Sequence, residues 1–453
     1  MHDALPTTPQ HNDMHFTILG YGVEGQSTLK YLQKKHPEAS FEVRDEKVIE
    51  NFPEEIPGIF GSDFLKNLDT ASTIFRSPAI LPYRIYEANP HHTPQSFKIT
   101  SQTIEFFNHC PGTIIGVTGT KGKGTTCSLI AEILKNTKEK VFLLGNIGSP
   151  AFDQLDEITM GDFVVYELSS FQLYDLQKGP SIAVLLNITP DHLDVHRDLE
   201  EYVHAKTNII STQTHKDHSI INAKQTLKKI DFSIGGNSQR VFFDTEHIER
   251  FIHIGNYEIE TSKLLLIGKF NYENIVPALE VSKILNLPKD IVEKTVYEFK
   301  GLEHRLEDCG IINGRIFINN SFGTTPDTTI AALSAFEGKP ITLFLGGSDK
   351  GANFTELAEA ISKANIASII SIPPMGQKIL EKLTSIPPQT SDFRLQTFSY
   401  TNMPSAIQWA FDHTPEGGII LMAPGCASFG CFENYKERGR MFKEAVEELM
   451  SVE

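Results

Sequence analysis

Residues 116–126, GVTGTKGKGTT, directly follow the apolar run at 113–115 and constrain the fold more than any other stretch of the chain. Gly119 and Gly122 allow a tight turn whose backbone N–H groups can surround a phosphate, and Lys123 can reach the β and γ oxygens. Beyond the turn, apolar residues recur at helical spacing. The stretch therefore predicts a strand, a phosphate-binding loop and a helix, in that order.

This loop departs from the usual Walker pattern at one position. Ser or Thr usually follows the lysine directly, whereas this chain has Gly124 there, with Thr125 and Thr126 behind it. A hydroxyl group that could bind Mg2+ is therefore still within two residues of the lysine.

A second glycine pattern lies near the N-terminus, in the sequence HFTILGYGVEGQSTL. Gly20, Gly22 and Gly25 form G-x-G-x-x-G between a strand-like run and a helical one, and a second short strand ends at Asp45. This arrangement can bring backbone N–H groups to a pyrophosphate at a helix N-terminus, with an acidic residue about 20 positions later. From these residues alone, an NAD site and a purely structural turn both remain open.

Short apolar runs alternate with helical stretches through the rest of the chain, and most end in polar or glycine-rich residues. The runs are TIIGVT, KVFLLG, DFVVYEL, SIAVLLNI, GRIFINN, PITLFLGG, IASIISI and GGIILMAPG. This rhythm is typical of mostly parallel sheets, which bind ligands at the carboxyl ends of their strands. We predict an α/β protein with a loose tail at 1–14 and three domains, at 15–110, 111–306 and 307–453.

Composition argues against several classes of protein. The chain has no run of about 18 apolar residues that could span a membrane, and its first residues lack the apolar core of a signal peptide. With 57 acidic and 41 basic residues its net charge is −16, which argues against a nucleic-acid partner. The five cysteines include no CxxC pair, which indicates reduced thiols in a cytoplasmic protein rather than a zinc site.

The phosphate loop with glycine after its lysine resembles that of the Mur ligase family and its relative folylpolyglutamate synthase. Further motifs of this family occur in its order and spacing: GNIG (145–148), YELSSFQL (166–173), NITPDHLDVH (187–196), YVHAKTNI (202–209), NYEN (271–274), GLEHRLE (301–307), LGGSDKGANF (345–354) and APGCASFGCFENYKERG (423–439). The last two resemble the glutamate-adding members of the family. The resemblance implies an N-terminal Rossmann-like domain, a central P-loop ATPase domain with a parallel sheet, and a C-terminal Rossmann-like domain.

The activity implied by the resemblance is an ATP-dependent ligation. With ATP and Mg2+, the alanyl carboxylate of UDP-N-acetylmuramoyl-L-alanine would form an acyl phosphate, which the amine of D-glutamate would then attack. We further expect a monomer that binds no nucleic acid and does not insert into a membrane. Three alternatives remain open: an L-glutamate-adding relative, a folylpolyglutamate synthase, which Gly124 favours, and a non-catalytic nucleotide-binding relative.

By the same resemblance, the first glycine turn holds the uridine diphosphate of the substrate and not NAD. The implied contacts are Gly22, Val23 and Glu24 for the diphosphate, Asp45, Glu46 and Lys47 for the uracil, and Asn146, Ser169 and Ser170 for orienting the substrate.

The resemblance also assigns the ATP and metal sites. The implied catalytic residues are Lys123, Glu167, His192 and Lys206, and the implied Mg2+ ligands are Thr125, Glu167, His192 and Lys206. Lys206 can serve only if it is carbamylated, because CO2 converts the amine into an anionic ligand. The implied ATP contacts are Gly119, Thr120, Lys121, Gly122, Lys123, Gly124, Thr125, Thr126, Asn271, Asn274, Arg305 and Asn320.

Glutamate needs cations and hydroxyl or N–H donors for its carboxylates, and the resemblance implies Thr324, Lys350, Ser428 and Tyr435. One segment departs from the family, because many members read D-S-K-A-T where this chain has NNSFGT. Asn320 replaces the acid and Phe322 replaces the lysine. This departure motivates the non-catalytic alternative and leaves the glutamate stereoisomer open.

Overall fold

The computed structural model describes residues 14–225, 236–384 and 396–452, so the predicted tail lies outside the described residues except for Met14. The described chain forms two compact units. The first unit runs to Thr261 and includes Glu273–Val296, and the second comprises Ser262–Tyr272 and the chain from Tyr297 onward. The predicted domain boundaries near 110 and 306 remain a prediction.

The first unit begins with a five-stranded parallel sheet in the order β3-β2-β1-β4-β5. Its strands are β1 (His15–Leu19), β2 (Ser40–Asp45), β3 (Gly58–Phe60), β4 (Thr73–Arg76) and β5 (Lys98–Thr100). Its helices are α1 (Val23–Lys35), α2 (Pro82–Ala88) and α3 (Gln102–His109). The G-x-G-x-x-G turn joins β1 to α1, and its third glycine packs so closely that a Cβ at Gly25 would overlap the carbonyl oxygen of Gly20.

A six-stranded parallel sheet in the order β11-β10-β9-β6-β8-β7 follows in the same unit. Its strands are β6 (Thr113–Thr118), β7 (Val141–Gly145), β8 (Phe163–Glu167), β9 (Ile182–Leu185), β10 (His218–Asn222) and β11 (Gln239–Phe243). Its helices are α4 (Lys123–Asn136), α5 (Ala151–Gln154), α6 (Ser170–Leu173) and α7 (Leu199–Ser211). Val117 of β6 lies opposite Glu167 of β8 and Val184 of β9, so the loop after β6 emerges between two other strand ends.

An antiparallel hairpin of β12 (Phe251–Ile254) and β13 (Tyr257–Glu260) follows this sheet along the chain. It precedes the helices α8 (Tyr272–Ile284) and α9 (Lys289–Glu298). The sequence patterns did not predict the hairpin.

The second unit contains a six-stranded sheet in the order β14-β15-β19-β16-β17-β18. Only β14 is antiparallel to its neighbour. The strands are β14 (Glu307–Ile312), β15 (Arg315–Asn319), β16 (Ile341–Gly346), β17 (Ile366–Ile372), β18 (Gln396–Ser399) and β19 (Ile419–Met422). The helices are α10 (Pro326–Ser334), α11 (Thr355–Lys363), α12 (Met375–Thr384), α13 (Met403–His413) and α14 (Tyr435–Val452).

The central strands of each large sheet are the apolar runs that the sequence marks as strands. Every residue of β9, β16 and β19 is buried, as is typical of parallel strands covered by helices on both faces. The prediction of an α/β protein with three mostly parallel sheets is therefore confirmed. No helix in the described ranges is long and apolar enough to cross a membrane.

Candidate functional site

The predicted phosphate loop lies between β6 and α4, and its two turn glycines have the conformations that require glycine. Gly119 has φ +153° and Gly122, at the N-cap of α4, has φ +85°. The Lys123 ammonium group donates hydrogen bonds to the carbonyl oxygens of Gly119 and Thr120, at 2.9 Å each. Lys123 thus lies folded over the loop, where a phosphate oxygen could replace these carbonyls as its partner.

The other loop residues hold the loop to neighbouring elements. The amide of Thr120 donates to the Asn187 carbonyl at 3.0 Å, and the Thr126 hydroxyl donates to Oδ1 of Asn274 at 3.2 Å. Gly124 and Thr125 are buried in the first turn of α4, whereas Lys121 is exposed. Asn274, predicted to contact ATP, therefore holds the loop in place through a buried side chain.

Replacing Gly122 with alanine should weaken ATP binding at least tenfold. The added Cβ would overlap Oδ1 of Asn274, so the side chain that holds Thr126 must move. Isothermal titration with ATP measures the affinity directly. Gly161→Ala is the matched control, because Gly161 also has a positive φ but has open space around its Cβ. The control should lose about 1 kcal/mol or more of stability from backbone strain and keep its affinity for ATP. Equal affinities in both variants would contradict this prediction.

Lys206 and Glu167 lie next to the same loop. The Lys206 side chain is 2% exposed and donates to the carbonyl of Gly119 at 2.8 Å. Burial, assisted by the charge of Lys123, lowers the pKa of Lys206 well below its ordinary value, although Asp191 and Glu167 act in the opposite direction. Glu167 is buried at the end of β8. The structure thus brings Lys123 and Lys206 together at the Gly119 carbonyl, with Glu167 near enough to act on the charge of Lys206.

His192 lies in the loop between β9 and α7, beside Asp191 and Phe171. It has φ +53° and is half exposed, with Nε2 3.8 Å from Oδ2 of Asp191 and its ring 5.0 Å from the Phe171 ring. In the described ranges, no three His, Cys, Asp or Glu side chains gather into a metal site. The predicted ligand set contains only two residues of those types, so its remaining ligands would have to come from a modified Lys206 and the hydroxyl of Thr125.

A pocket of about 590 Å³ opens where the loops of the first two sheets meet, a size typical of small-molecule sites. Eight of the nine residues predicted for the UDP substrate line it: Gly22, Val23, Glu24, Asp45, Glu46, Lys47, Asn146 and Ser169. Ser170, the ninth, is buried and does not line this pocket. Gly22 caps α1 without a side-chain acceptor, so the first amides of this 13-residue helix can donate to an anionic ligand. His192 and Phe171 line the same pocket.

Asp45 shapes the pocket through the backbone. Its carboxylate accepts hydrogen bonds from the amides of Tyr21 at 2.6 Å and Lys47 at 2.8 Å. It therefore joins the loop after β1 to the loop after β2. Glu46 lies 3.8 Å from Arg84, an exposed ion pair at the rim.

Two residues that the motif analysis did not assign connect the walls of this pocket. The buried Gln172 donates to Oε1 of Glu24 at 2.7 Å and accepts from the amide and hydroxyl of Ser169. The Arg76 guanidinium, fully buried, pairs with Asp175 and donates to the Phe171 carbonyl. The S-x-x-Q spacing of a helix capping box could have identified Gln172. Arg76 carries no comparable signal.

Removing the Glu24 charge should change how stability depends on pH. Burial raises the pKa of the Glu24 carboxyl, although the Gln172 hydrogen bond and Arg76 oppose this. The folded protein then holds this proton more tightly than the unfolded chain does, so the protonated Glu24 carboxyl stabilises the fold. This stabilisation is fully present below about pH 4.5 and is lost as the pH rises through the folded pKa. The Tm of Glu24→Gln minus that of the wild type should therefore increase by at least about 1 °C as the pH rises from 4.5 to 7.5.

The same thermal scans on Glu54→Gln provide the control for this prediction. Glu54 is exposed in the same sheet region, so its variant should follow the wild-type pH dependence. A parallel pH profile for Glu24→Gln and the wild type would contradict the prediction.

In the second unit, three predicted glutamate-binding residues follow the carboxyl ends of adjacent parallel strands. Thr324 follows β15, Ser428 follows β19 and Lys350 follows β16. The amide of Ser348 donates to the Ala427 carbonyl at 2.9 Å, which brings the Lys350 and Ser428 loops together. This edge is where open α/β sheets bind ligands.

Two predicted ATP contacts of this unit, Arg305 and Asn320, lie beside that edge. Arg305 stacks on the Phe322 ring, and the Asn320 side chain accepts from the amide of Leu306 at 3.3 Å. Tyr435 begins α14, and its ring meets the Phe322 ring edge-on. Asn271 donates to the Ile267 carbonyl at 2.8 Å.

His304, in the GLEHRLE motif, is buried in the second unit. It has φ +64° and its Nδ1 lies 3.0 Å from Nδ2 of Asn319. Burial lowers the pKa of this imidazole despite the nearby carboxylates of Glu303 and Glu307.

Arg438 is fully buried and is not among the residues to which the motifs assign a role. Its guanidinium donates to the hydroxyl and carbonyl oxygens of Ser321 and to the Cys426 carbonyl. Burial lowers its pKa to about 10. Arg438 thus connects the segment after β15 to the loop after β19. Its place in a motif was visible in the sequence, but its contacts were not.

Comparison with known proteins identifies the family. Residues 117–282 match the Mur ligase middle domain. The UDP-N-acetylmuramoylalanine–D-glutamate ligase of Acetivibrio thermocellus is 32% identical, with 95% of this chain and 96% of the relative covered. The enzyme of the same name from Thermoanaerobacter pseudethanolicus is 33% identical over 95% of this chain and 98% of its own.

Solved structures show the same fold at low sequence identity. MurF from Acinetobacter baumannii superposes with a TM-score of 0.60 at 15% identity, covering 97% of this chain and 92% of that one. MurF from Thermotoga maritima, in complex with ADP, gives 0.56 at 16% identity, covering 97% and 96%. The fold, the motif order and the identity over nearly the full length agree that the chain belongs to the UDP-N-acetylmuramoylalanine–D-glutamate ligase family of Mur ligases.

Proposed function

We propose that the protein uses ATP to join D-glutamate to UDP-N-acetylmuramoyl-L-alanine in the synthesis of peptidoglycan precursors. The main support is the pocket in the first unit, which is lined by eight of the nine residues predicted for the UDP substrate and lies in the same unit as the phosphate loop. The names of the relatives that are 32–33% identical over 95% of the chain agree with this substrate.

The reaction begins when an oxygen of the alanyl carboxylate attacks the γ-phosphorus of ATP, which releases ADP and forms an acyl phosphate. Both reactants are anions, so catalysis depends on positioned cations and N–H donors. Lys123 moves from the carbonyls of Gly119 and Thr120 to the β and γ oxygens. The amides at the start of α1 hold the substrate diphosphate, and Asn146 and Ser169 orient the part of the substrate that reacts.

Glu167 and Lys206, with Thr125 and His192, are the residues that would hold Mg2+, which neutralises phosphate charge when bound. The donors fit an oxygen-binding metal, because Glu167 is a buried carboxylate beside the loop. The lowered pKa of Lys206 increases the fraction of neutral amine. That amine can add to CO2 and lose a proton, which leaves an anionic carbamate.

In the second step, the amine of glutamate attacks the acyl phosphate carbonyl, and phosphate leaves as the amide forms. Lys350 pairs with a glutamate carboxylate, and Thr324, Ser428 and Tyr435 supply hydroxyl donors. Arg305 contacts ATP phosphates through its planar guanidinium, Asn320 contacts the ribose, and Asn271 and Asn274 contact adenine. We further propose that the enzyme works as a monomer in the cytoplasm, where ATP is available and its five free cysteines stay reduced.

Phosphate release from ATP tests this function. The reaction is run with Mg2+ and UDP-N-acetylmuramoyl-L-alanine, and with D-glutamate, L-glutamate or no amino acid. We expect release only with D-glutamate. Release with L-glutamate alone would keep the mechanism and replace the amino acid. No release under any condition would reject the proposal and favour the folylpolyglutamate alternative, which Gly124 suggests, or a non-catalytic role.

A further inference from the structure

Phe322 has no role in the reaction as described, yet it stands where many family members have a lysine. We propose that Phe322 is a positioning residue that fixes the plane of the Arg305 guanidinium and couples it to Tyr435. This inference rests on the proposed function, because Arg305 is assigned to ATP phosphate and Tyr435 to glutamate. In this chain, the Phe322 ring, which orients the Arg305 guanidinium, thus stands where many family members have the cation of a lysine.

The side-chain contact between Arg305 and Phe322 is a close stack. The guanidinium carbon lies 3.7 Å from the centre of the Phe322 ring, and both side chains are half-buried. At this distance the flat guanidinium packs on the ring face, where the electrons of the ring attract the cation. Contact with the ring face restricts tilting of the guanidinium, which favours one plane for its N–H groups. A lysine at position 322 could not provide this surface and would repel Arg305.

The backbone on both sides of Arg305 is also held by the segment that contains Phe322. The amide of Phe322 donates to the His304 carbonyl at 3.0 Å, and the amide of Leu306 donates to Oδ1 of Asn320 at 3.3 Å. His304 and Leu306 both have left-handed conformations, with φ +64° and +45°. Arg305 therefore extends from a tight turn whose position depends on residues 320–322.

The same ring also contacts the predicted glutamate site. The Tyr435 ring meets Phe322 edge-on, with ring centres 5.0 Å apart and planes at 86°, a preferred geometry for aromatic pairs. The Ser321 hydroxyl donates to the Tyr435 carbonyl at 2.8 Å. Phe322 thus lies between a residue for phosphate and a residue for glutamate, so a shift of Tyr435 on glutamate binding would reach Arg305 through one ring.

The test compares Phe322→Leu, which removes the ring, with Phe322→Tyr, which keeps it. Titration calorimetry measures the affinity for a non-hydrolysable ATP analogue, and steady-state assays measure kcat and both KM values. We expect Phe322→Leu to weaken analogue binding about tenfold and to raise the KM for glutamate, with Phe322→Tyr within about twofold of the wild type. Phe398→Leu is the matched control, because Phe398 is also half-buried and stacks on a neighbour, Trp409, but lies on the far edge strand β18. It should leave the affinity unchanged.

A double-mutant cycle with Arg305→Lys distinguishes positioning from general packing. If Phe322 acts through the guanidinium, Phe322→Leu should weaken analogue binding about tenfold in the wild-type background and less than twofold in the Arg305→Lys background. Equal effects in both backgrounds would overturn the inference, as would equal losses in the Leu and Tyr variants. Because analogue binding is measured without turnover, the cycle can be read even if the wild type releases no phosphate, an outcome that would count against the proposed reaction alone.

Discussion

Replacing Lys123 with alanine should reduce kcat for phosphate release by about 10³-fold, the effect of removing a donor that acts on developing charge. Lys123 is the cation of the phosphate loop, and its ammonium group already lies within 2.9 Å of two loop carbonyls. The assay is phosphate release with D-glutamate and the UDP substrate, at saturating ATP. Thermal unfolding should show a folded variant, because Lys123 is only half-buried.

The matched control is Lys135→Ala, in the exposed last turn of the same helix α4. It removes the same charge from the same helix, so its kcat should stay within about twofold of the wild type. If both variants lost activity equally, the effect would come from helix α4 or from overall charge. A Lys123→Ala variant with wild-type kcat would refute the assignment of the loop.

Replacing Lys206 with methionine should lower kcat by a similar factor, about 10³-fold, without lowering the stability of the protein. Burial already disfavours the charged form of this lysine, and a methionine of similar length removes a polar group that is costly to bury. Gly119 does not lose its hydrogen bond, because Lys123 donates to the same carbonyl. We therefore expect an unchanged or higher Tm together with a loss of kcat of about 10³-fold, measured on the same samples.

Carbon-13 NMR in labelled bicarbonate tests the chemistry behind this effect. The wild type should give a protein-bound carbamate signal that Lys206→Met lacks, and the signal should weaken at lower pH because carbamate formation releases a proton. Lys216→Met, at an exposed position, should retain both the signal and the activity. Wild-type activity in Lys206→Met would contradict a catalytic role for this lysine, and a missing wild-type signal would contradict its modification.

Several turns, helices and strands could be predicted from the sequence, because neighbouring residues determine their conformation. The turn at Gly119 and Gly122 needs conformations that favour glycine, and the helix after it needs apolar residues at helical spacing, so both features can be read within twenty residues. The central strands are buried on both faces and therefore appear as continuous apolar runs. The short edge strands β3 and β18 are largely exposed, carry no such run and were not predicted.

The contacts within the candidate site could not be predicted in this way. Asn274 is 148 positions from Thr126, and Gln172 is 148 positions from Glu24, yet each pair forms a hydrogen bond. No local pattern specifies such a pair, since its geometry depends on how separate strands are ordered in a sheet. The resemblance to a family assigned Glu24 and Asn274 to ligands, whereas the structure also shows them joined to other parts of the protein.

The sequence alone thus determined which side chains are present at the strand ends, because glycine turns, apolar runs and motif spacing depend on neighbouring residues. The tertiary structure decided which of these side chains meet. Burial beside the phosphate loop, 87 positions away in the sequence, lowers the pKa of Lys206. The stack of Arg305 on Phe322 likewise depends on strand pairing, because β14 and β15 run antiparallel with Glu307 opposite Asn319. This pairing brings the turn before β14 next to the segment after β15.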